Sequence, residues 1–144
     1  MTDSLTKLND QFTKHYSFTS NPTRCFFAPG RVNLIGEHTD YNHGMVMPFA
    51  INLGTWAVVR INKTNQFRFA SSGFNQTLEM AADDDFQKHN NEWWKYPLGI
   101  IHVFRDAGIQ VPPLDFYFHG NLPHSSGLSS SASIEMVTAK AINS

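Results

Sequence analysis

Two stretches of this 144-residue chain crowd chemically active side chains between glycines. The first reads Gly30-Arg31-Val32-Asn33-Leu34-Ile35-Gly36-Glu37-His38-Thr39-Asp40-Tyr41. Glu37, His38 and Asp40 can each accept a hydrogen bond from a hydroxyl-rich ligand. Two carboxylates three residues apart suit a sugar, whose vicinal hydroxyls donate in pairs. Arg31 adds a permanent charge and a fork of donors matched to phosphate. The same residues leave two other readings open. Glu37, His38, Asp40 and His43 are all possible metal ligands, although the helical spacing of the metalloprotease motif is missing. A solvated polar loop without a ligand is the third.

The second stretch is Asn121-Leu122-Pro123-His124-Ser125-Ser126-Gly127-Leu128-Ser129-Ser130-Ser131-Ala132-Ser133. It joins a predicted strand to a predicted helix, and small residues crowd the helix start. Small side chains let the backbone approach a ligand closely. The unpaired N–H groups of a first helical turn, with the positive end of the helix dipole, favour an anion there. Serine hydroxyls add donors for phosphate oxygens and one possible magnesium ligand. A plain N-cap built of serines explains the same composition. The pattern is not the P-loop, because no lysine follows the second glycine, and it lacks the spaced glycines of a dinucleotide fingerprint.

The elements that must hold these stretches follow from periodicity. Leu5, Leu8, Phe12 and Tyr16 recur at helical spacing and predict a helix over residues 4–16. A turn-rich loop at 17–23 leads to a short strand, Cys25-Phe26-Phe27-Ala28, ended by Pro29-Gly30. Arg31 to Gly44 then reads as a long polar loop with one apolar patch at Val32 to Ile35. Met45 to Ile51 reads as a buried strand interrupted by Pro48. Trp56 to Asn62, Phe67 to Ala70 and Thr77 to Met80 are further strands, and Asp83-Asp84-Asp85 is a solvated linker. Trp94, Leu98, Ile101 and Arg105 define a helix that stops at Gly108. Leu114, Phe116 and Phe118 alternate with Asp115, Tyr117 and His119, the pattern of a half-buried strand. The last helix starts in the serine run and continues through Ile134, Val137 and Ala141.

Composition narrows the function classes. Hydrophobic residues make up 41% and charged residues 16%, with a net charge of −1, a globular balance without the basic stripe that nucleic acid requires. Cys25 is the single cysteine, so no internal disulfide forms and a reduced, cytoplasmic setting is expected. No apolar run reaches the length of a membrane span, and Met1 to Ser4 does not open like a signal peptide. No nucleic-acid or membrane partner is expected.

Residues 28–41, Ala-Pro-Gly-Arg-Val-Asn-Leu-Ile-Gly-Glu-His-Thr-Asp-Tyr, closely resemble the sugar-binding signature of the galactokinase family. Residues 123–133 resemble its phosphate loop, which the wider GHMP kinase superfamily shares with homoserine, mevalonate and phosphomevalonate kinases. Trp94, Tyr96 and Gly99 are similar to the helix between those motifs, and the resemblance runs from about Arg24 to the end of the chain. It implies an α+β fold, a mixed sheet backed by helices, as the N-terminal lobe of a two-lobed kinase. Residues 1–144 are then one galactokinase-like domain, cut off before a C-terminal domain.

The implied activity of the intact protein is transfer of phosphate from ATP to the anomeric hydroxyl of galactose, with Mg2+ as cofactor. Arg31 takes the place of the charge-stabilising arginine. Glu37, His38, Thr39 and Asp40 match the sugar-holding stretch. Ser71 matches a nucleotide contact, and His124, Ser125, Ser126, Gly127, Leu128, Ser129 and Ser130 match the loop around the ATP phosphates. Ser130 matches the magnesium contact. Ser125 departs from the family, which carries glycine there. The resemblance puts the catalytic base and a second magnesium carboxylate beyond Ser144. The chain alone is therefore expected to be inactive, and its uncovered face is expected to promote self-association. The rival readings are a kinase for an N-acetylated amino sugar, a non-catalytic galactose and ATP sensor, and an inert folding domain.

Overall fold

The computed structural model describes residues 2–17, 19–36, 42–89, 91–123 and 127–144. Five strands form one mixed sheet in the order β1-β2-β5-β3-β4, with β1 at Arg24–Ile35, β2 at Met47–Ile61, β3 at Gln66–Ser71, β4 at Phe74–Ala81 and β5 at Leu114–Gly120. Neighbours run antiparallel except β3 and β5, which are parallel. Helices α2, at Lys95–Asp106, and α3, at Ser130–Ile142, cover one face, and α1, at Thr2–Tyr16, covers the other. This is the expected α+β arrangement of a mixed sheet backed by helices.

Alternation along the central strands assigns each residue to a face. Ala57, Val59, Phe69, Phe116 and Phe118 pack with Leu98 and Ile101 of α2 and Val137 of α3. Their neighbours Val58, Ala70 and Tyr117 turn the other way and meet Leu8, Phe12 and Tyr16 of α1. β5 is therefore buried on both sides, whereas its alternating sequence predicts one wet face. The difference lies at Asp115, which the pattern places in solvent and the fold places at 0% exposure.

Asp115 survives burial because its carboxylate is fully occupied. Oδ2 accepts from Arg60 Nε and Nη2 at 3.2 and 2.7 Å and from Arg68 Nη2 at 2.8 Å. Oδ1 accepts from Arg68 Nε and Asn62 Nδ2, both at 2.7 Å. Arg60, Asp115 and Arg68 stand side by side in register across β2, β5 and β3. The arginines also lie over the rings of Phe12 and Tyr16, and Arg60 donates to the Tyr16 and Ser17 carbonyls. One charged row thus joins three strands and fastens the end of α1. Burial, with the Asp115 charge beside it, pushes the Tyr16 phenol far above its usual range. It stays protonated and donates to the Phe116 carbonyl at 2.7 Å.

β1 does not stop at Pro29-Gly30 as the sequence suggests, and Val32 to Ile35 continue it rather than forming a loop patch. Pro29 pairs opposite Gly54, whose N–H and C=O both turn away to Asn121. The proline nitrogen then faces the open edge of the sheet, where a missing N–H costs nothing. A register shift between Pro29 and Arg31 absorbs the irregularity. Likewise Met45 to Ile51 and Trp56 to Asn62 are not two strands; from Met47 onward they form one strand, β2. Its first part is not buried, since Met47 is 58% and Phe49 47% exposed. It belongs to a ribbon with β1 that extends past the helices.

Gly30 is where α3 and its preceding loop come down on β1. A Cβ there would lie 2.6 Å from Leu122 Cδ2 and 2.8 Å from the Leu128 carbonyl oxygen. The leucine tip can rotate away, but the backbone oxygen cannot. Two stability predictions follow from these contacts. Asp115→Asn leaves two guanidinium groups without their counter-charge and should cost about 3–5 kcal/mol. A urea midpoint that barely moves would refute that role. Gly30→Ala should lose about 1–3 kcal/mol by overpacking. Gly99→Ala is the control of opposite sign: it lies in α2 with open space around an added Cβ. It should gain roughly 0.5–1 kcal/mol in the same assay.

Candidate functional site

The loop between β5 and α3 is pinned to β1 and β2 at both ends. At its start, Asn121 donates its N–H to the Gly54 carbonyl at 3.2 Å, and its Oδ1 accepts from the Gly54 N–H at 2.8 Å. At its end, the Arg31 N–H donates to the Leu128 carbonyl at 3.2 Å, and the Ser129 hydroxyl donates to the Arg31 carbonyl at 3.5 Å. The two chemically rich stretches of the sequence therefore meet backbone to backbone at Arg31 and Leu128. They lie almost a hundred residues apart in the chain, and β1 is the element that brings them together.

Among the described residues, the helix start at this junction has no side-chain cap. Ser129 sits at the N-cap in the left-handed region, φ 60° and ψ 44°, and its side chain makes no capping bond. The first intrahelical bond runs from the Ser133 N–H to the Ser129 carbonyl. The N–H groups of Ser130, Ser131 and Ala132 precede it and have no partner within the helix. With the helix dipole behind them, they favour an anion. Arg31 lies on the strand beside this opening, exposed, and its guanidinium forms no ion pair among the described residues. Ser130 is the first residue of α3 and is exposed.

The other predicted positions divide. Gly127, Leu128, Ser129 and Ser130 are gathered with Arg31. Gly127 has φ 69°, a conformation that favours glycine. Ser71 is the last residue of β3 and pairs with Phe118 near the end of β5, so it flanks the approach to the loop. Its hydroxyl accepts from the Gly73 N–H at 3.2 Å and is occupied within its own turn. Glu37, His38, Thr39 and Asp40 lie outside the described residues, as do His124, Ser125 and Ser126. The segment carrying the first four joins β1 to β2 where Ile35 pairs with Met47. Among the described residues no group of three His, Cys, Asp or Glu side chains could hold a metal ion. No helix among them is long and apolar enough to cross a membrane.

Sequence reasoning missed three sets of contacts. Asn121 was legible only as part of a loop, yet it anchors that loop to Gly54. The Ser133 hydroxyl donates to the Ala28 carbonyl and meets Thr55 Oγ1, both at 2.9 Å, inside the packing of α3 on β1. Ser72 Oγ lies 2.7 Å from His119 Nδ1, tying the turn after β3 to the end of β5. Each pairs residues distant in sequence, and a lone Asn, Ser or His carries no mark of such a partner. Trp94, flagged as part of the intervening helix, is its N-cap residue, and its Nε1 donates to the His89 carbonyl at 2.9 Å.

Residues 10–61 match the galactokinase galactose-binding signature, and residues 95–144 match the N-terminal domain of GHMP kinases. The chain is 46% identical over 116 residues to a galactokinase from Halalkalibacterium halodurans, covering 81% of this chain and 29% of that protein. It is 44% identical over 146 residues to one from Lacticaseibacillus casei, covering 99% of this chain and 36% of the relative. Among solved structures, galactokinase from Lactococcus lactis complexed with galactose superimposes with a TM-score of 0.83 at 34% identity, over 94% of this chain and 35% of that one. Mevalonate kinase from Methanococcus jannaschii shares the fold, with a TM-score of 0.72 at 23% identity, over 86% of this chain and 40% of its own. The chain thus spans about a third of the length of the curated relatives it matches. Two signatures in order, relatives above 40% identity and a matching fold place the chain in the galactokinase family of the GHMP kinases.

Proposed function

We propose that this chain is the sugar- and phosphate-binding lobe of a galactokinase, and that the intact protein phosphorylates galactose with ATP. The observation that carries the reading is the backbone junction of Arg31 with Leu128. It sets the galactose-signature strand directly against a helix start whose first N–H groups have no partner within the helix. Phosphoryl transfer has a loose transition state, so positioning and charge stabilisation supply most of the catalysis. The open first turn of α3, with Gly127 to Ser130, holds the triphosphate. Arg31, one strand away, stabilises the charge that spreads over the transferred group.

Glu37, His38, Thr39 and Asp40 hold the sugar, with Glu37 and Asp40 accepting from its hydroxyls. Ser71 contributes on the nucleotide side. His124, Ser125 and Ser126 complete the loop, with Ser125 replacing the family glycine. Ser130 offers a hard oxygen ligand of the kind that Mg2+ takes alongside phosphate oxygens. The ion would neutralise triphosphate charge there. The single free cysteine, Cys25, fits a reducing cytoplasmic location.

The ribbon of β1 and β2 leaves Leu34, Ile35, Met45 and Met47 exposed, Met45 at 94%. In the intact enzyme this apolar surface is the contact for the rest of the protein.

A chimera tests the proposal: these residues replace the matched segment of the Lacticaseibacillus casei galactokinase. It should release ADP when given galactose, and faster than with N-acetylgalactosamine. Binding of both substrates without ADP release would instead support a sensor. In the chimera, Arg31→Ala should lower kcat on the order of a hundredfold while leaving the KM for galactose nearly unchanged. The reverse pattern would remove Arg31 from the chemistry. Asp40→Ala should abolish galactose binding in calorimetry, and intact binding would refute its assignment to the sugar.

A further inference from the structure

The junction between Arg31 and the loop rests on a buried polar contact that neither signature explains. Ser133, one turn into α3, is 2% exposed, Thr55 on β2 is 7% and Ala28 on β1 is 6%. The Ser133 hydroxyl is 2.9 Å from the Ala28 carbonyl and 2.9 Å from Thr55 Oγ1. A hydroxyl has one proton. The carbonyl can only accept, so Ser133 gives its proton there, and Thr55 donates to Ser133. The order Thr55 to Ser133 to Ala28 is therefore a directed chain of two hydrogen bonds across β2, α3 and β1. Apolar packing alone permits the helix to slide; a directed polar chain in a dry interface permits one register, because any shift leaves buried groups unpaired.

We propose that Thr55 and Ser133 are positioning residues for the reaction, fixing the distance between the Arg31 strand and the open helix start. Ala28 and Arg31 flank the Pro29-Gly30 irregularity of β1, and the Leu128 carbonyl approaches Gly30 to a distance closed to any side chain. Ser133 lies one turn past Ser129, whose hydroxyl reaches the Arg31 carbonyl. The polar chain and the Arg31 junction are thus two fastenings of the start of α3 to one stretch of β1, Ala28 to Arg31. Thr55 and Ser133 are both buried in the packing of α3 on the sheet. They act by holding Arg31 and the loop in one geometry, in keeping with the kinase reading on which the catalytic part of this inference rests.

The Arg31 N–H reports the junction directly, because its hydrogen bond goes to the Leu128 carbonyl. In the 144-residue chain, Ser133→Ala and Thr55→Val should each speed exchange at Arg31 on the order of tenfold or more. Amides of Phe69 and Phe116, on the far strands, should keep their rates. Thr55→Ser retains the hydroxyl and should restore slow exchange at Arg31. In the chimera, Ser133→Ala should lower kcat with little change in the KM for galactose. Unchanged exchange at Arg31, or equal acceleration across the whole sheet, would overturn the positioning role and leave only a stabilising one. A wild-type chimera without turnover would sink the kinase reading alone, with the exchange rates still deciding the role of the pair.

Discussion

The candidate site depends on one close approach. The Leu128 carbonyl sits so near Gly30 that an added Cβ would lie 2.8 Å from it. That approach puts the Arg31 N–H within reach of Leu128 and the Ser129 hydroxyl within reach of the Arg31 carbonyl. A side chain at residue 30 would hold the helix start away from the strand, and both contacts would open together. The small residues of α3 serve the same end. Ser133 is buried against Ala28 of β1, and a larger residue there would prop the helix off the sheet. Small residues at a helix start are usually read as room for a ligand, but here they also make room for the strand.

The approach is only as fixed as the sheet beneath it. β1 is an edge strand paired with β2 alone, so its position is inherited from β2 and β5. The Arg60-Asp115-Arg68 row locks those strands to β3 at the end of the sheet remote from the loop. Buried charge is a poor source of net stability, because desolvation offsets most of the Coulomb gain. It is a better source of register. Asp115 accepts five bonds from three side chains, and a slip of one residue in β3 or β5 would break several at once. The same row holds Tyr16 at the end of α1, which lies within the matched galactose-binding signature at residues 10–61.

Much of this was legible in the sequence, for reasons that differ by element. The helix at Leu8, Phe12 and Tyr16 follows from spacing, and the strand at Phe67 and Phe69 from alternation. Both signatures are contiguous, so their residues are found without knowing the fold. What stayed hidden was non-local. β1 reads as ending at Pro29, because proline and glycine together signal a turn; only its place at the edge of the sheet makes the strand continuous. β2 reads as two pieces because Leu53-Gly54-Thr55 looks like a break, whereas Gly54 is the anchor for Asn121. Asp115 reads as solvent-facing, because the two arginines that neutralise it sit on other strands. Sequence shows which residues are able to pair. It does not show which will.

Ser129 holds a left-handed backbone, which costs a residue with a Cβ roughly 1–2 kcal/mol, and it does so without the compensation of a capping bond. An ordinary serine N-cap would adopt an extended conformation and turn its hydroxyl onto the N–H groups of the first turn. Here the left-handed turn aims that hydroxyl at the Arg31 carbonyl instead and leaves those N–H groups without a side-chain cap from Ser129. The local choice therefore runs against helix stability twice, in backbone strain and in unfilled donors. Strain of this kind persists only where surrounding structure enforces it. The enforcing contacts are Gly30 beneath Leu128, and Ser133 fixed to Ala28 and Thr55. A helix start kept without a side-chain cap at such a cost, beside an arginine with no ion pair among the described residues, has the form that the proposed phosphate site requires.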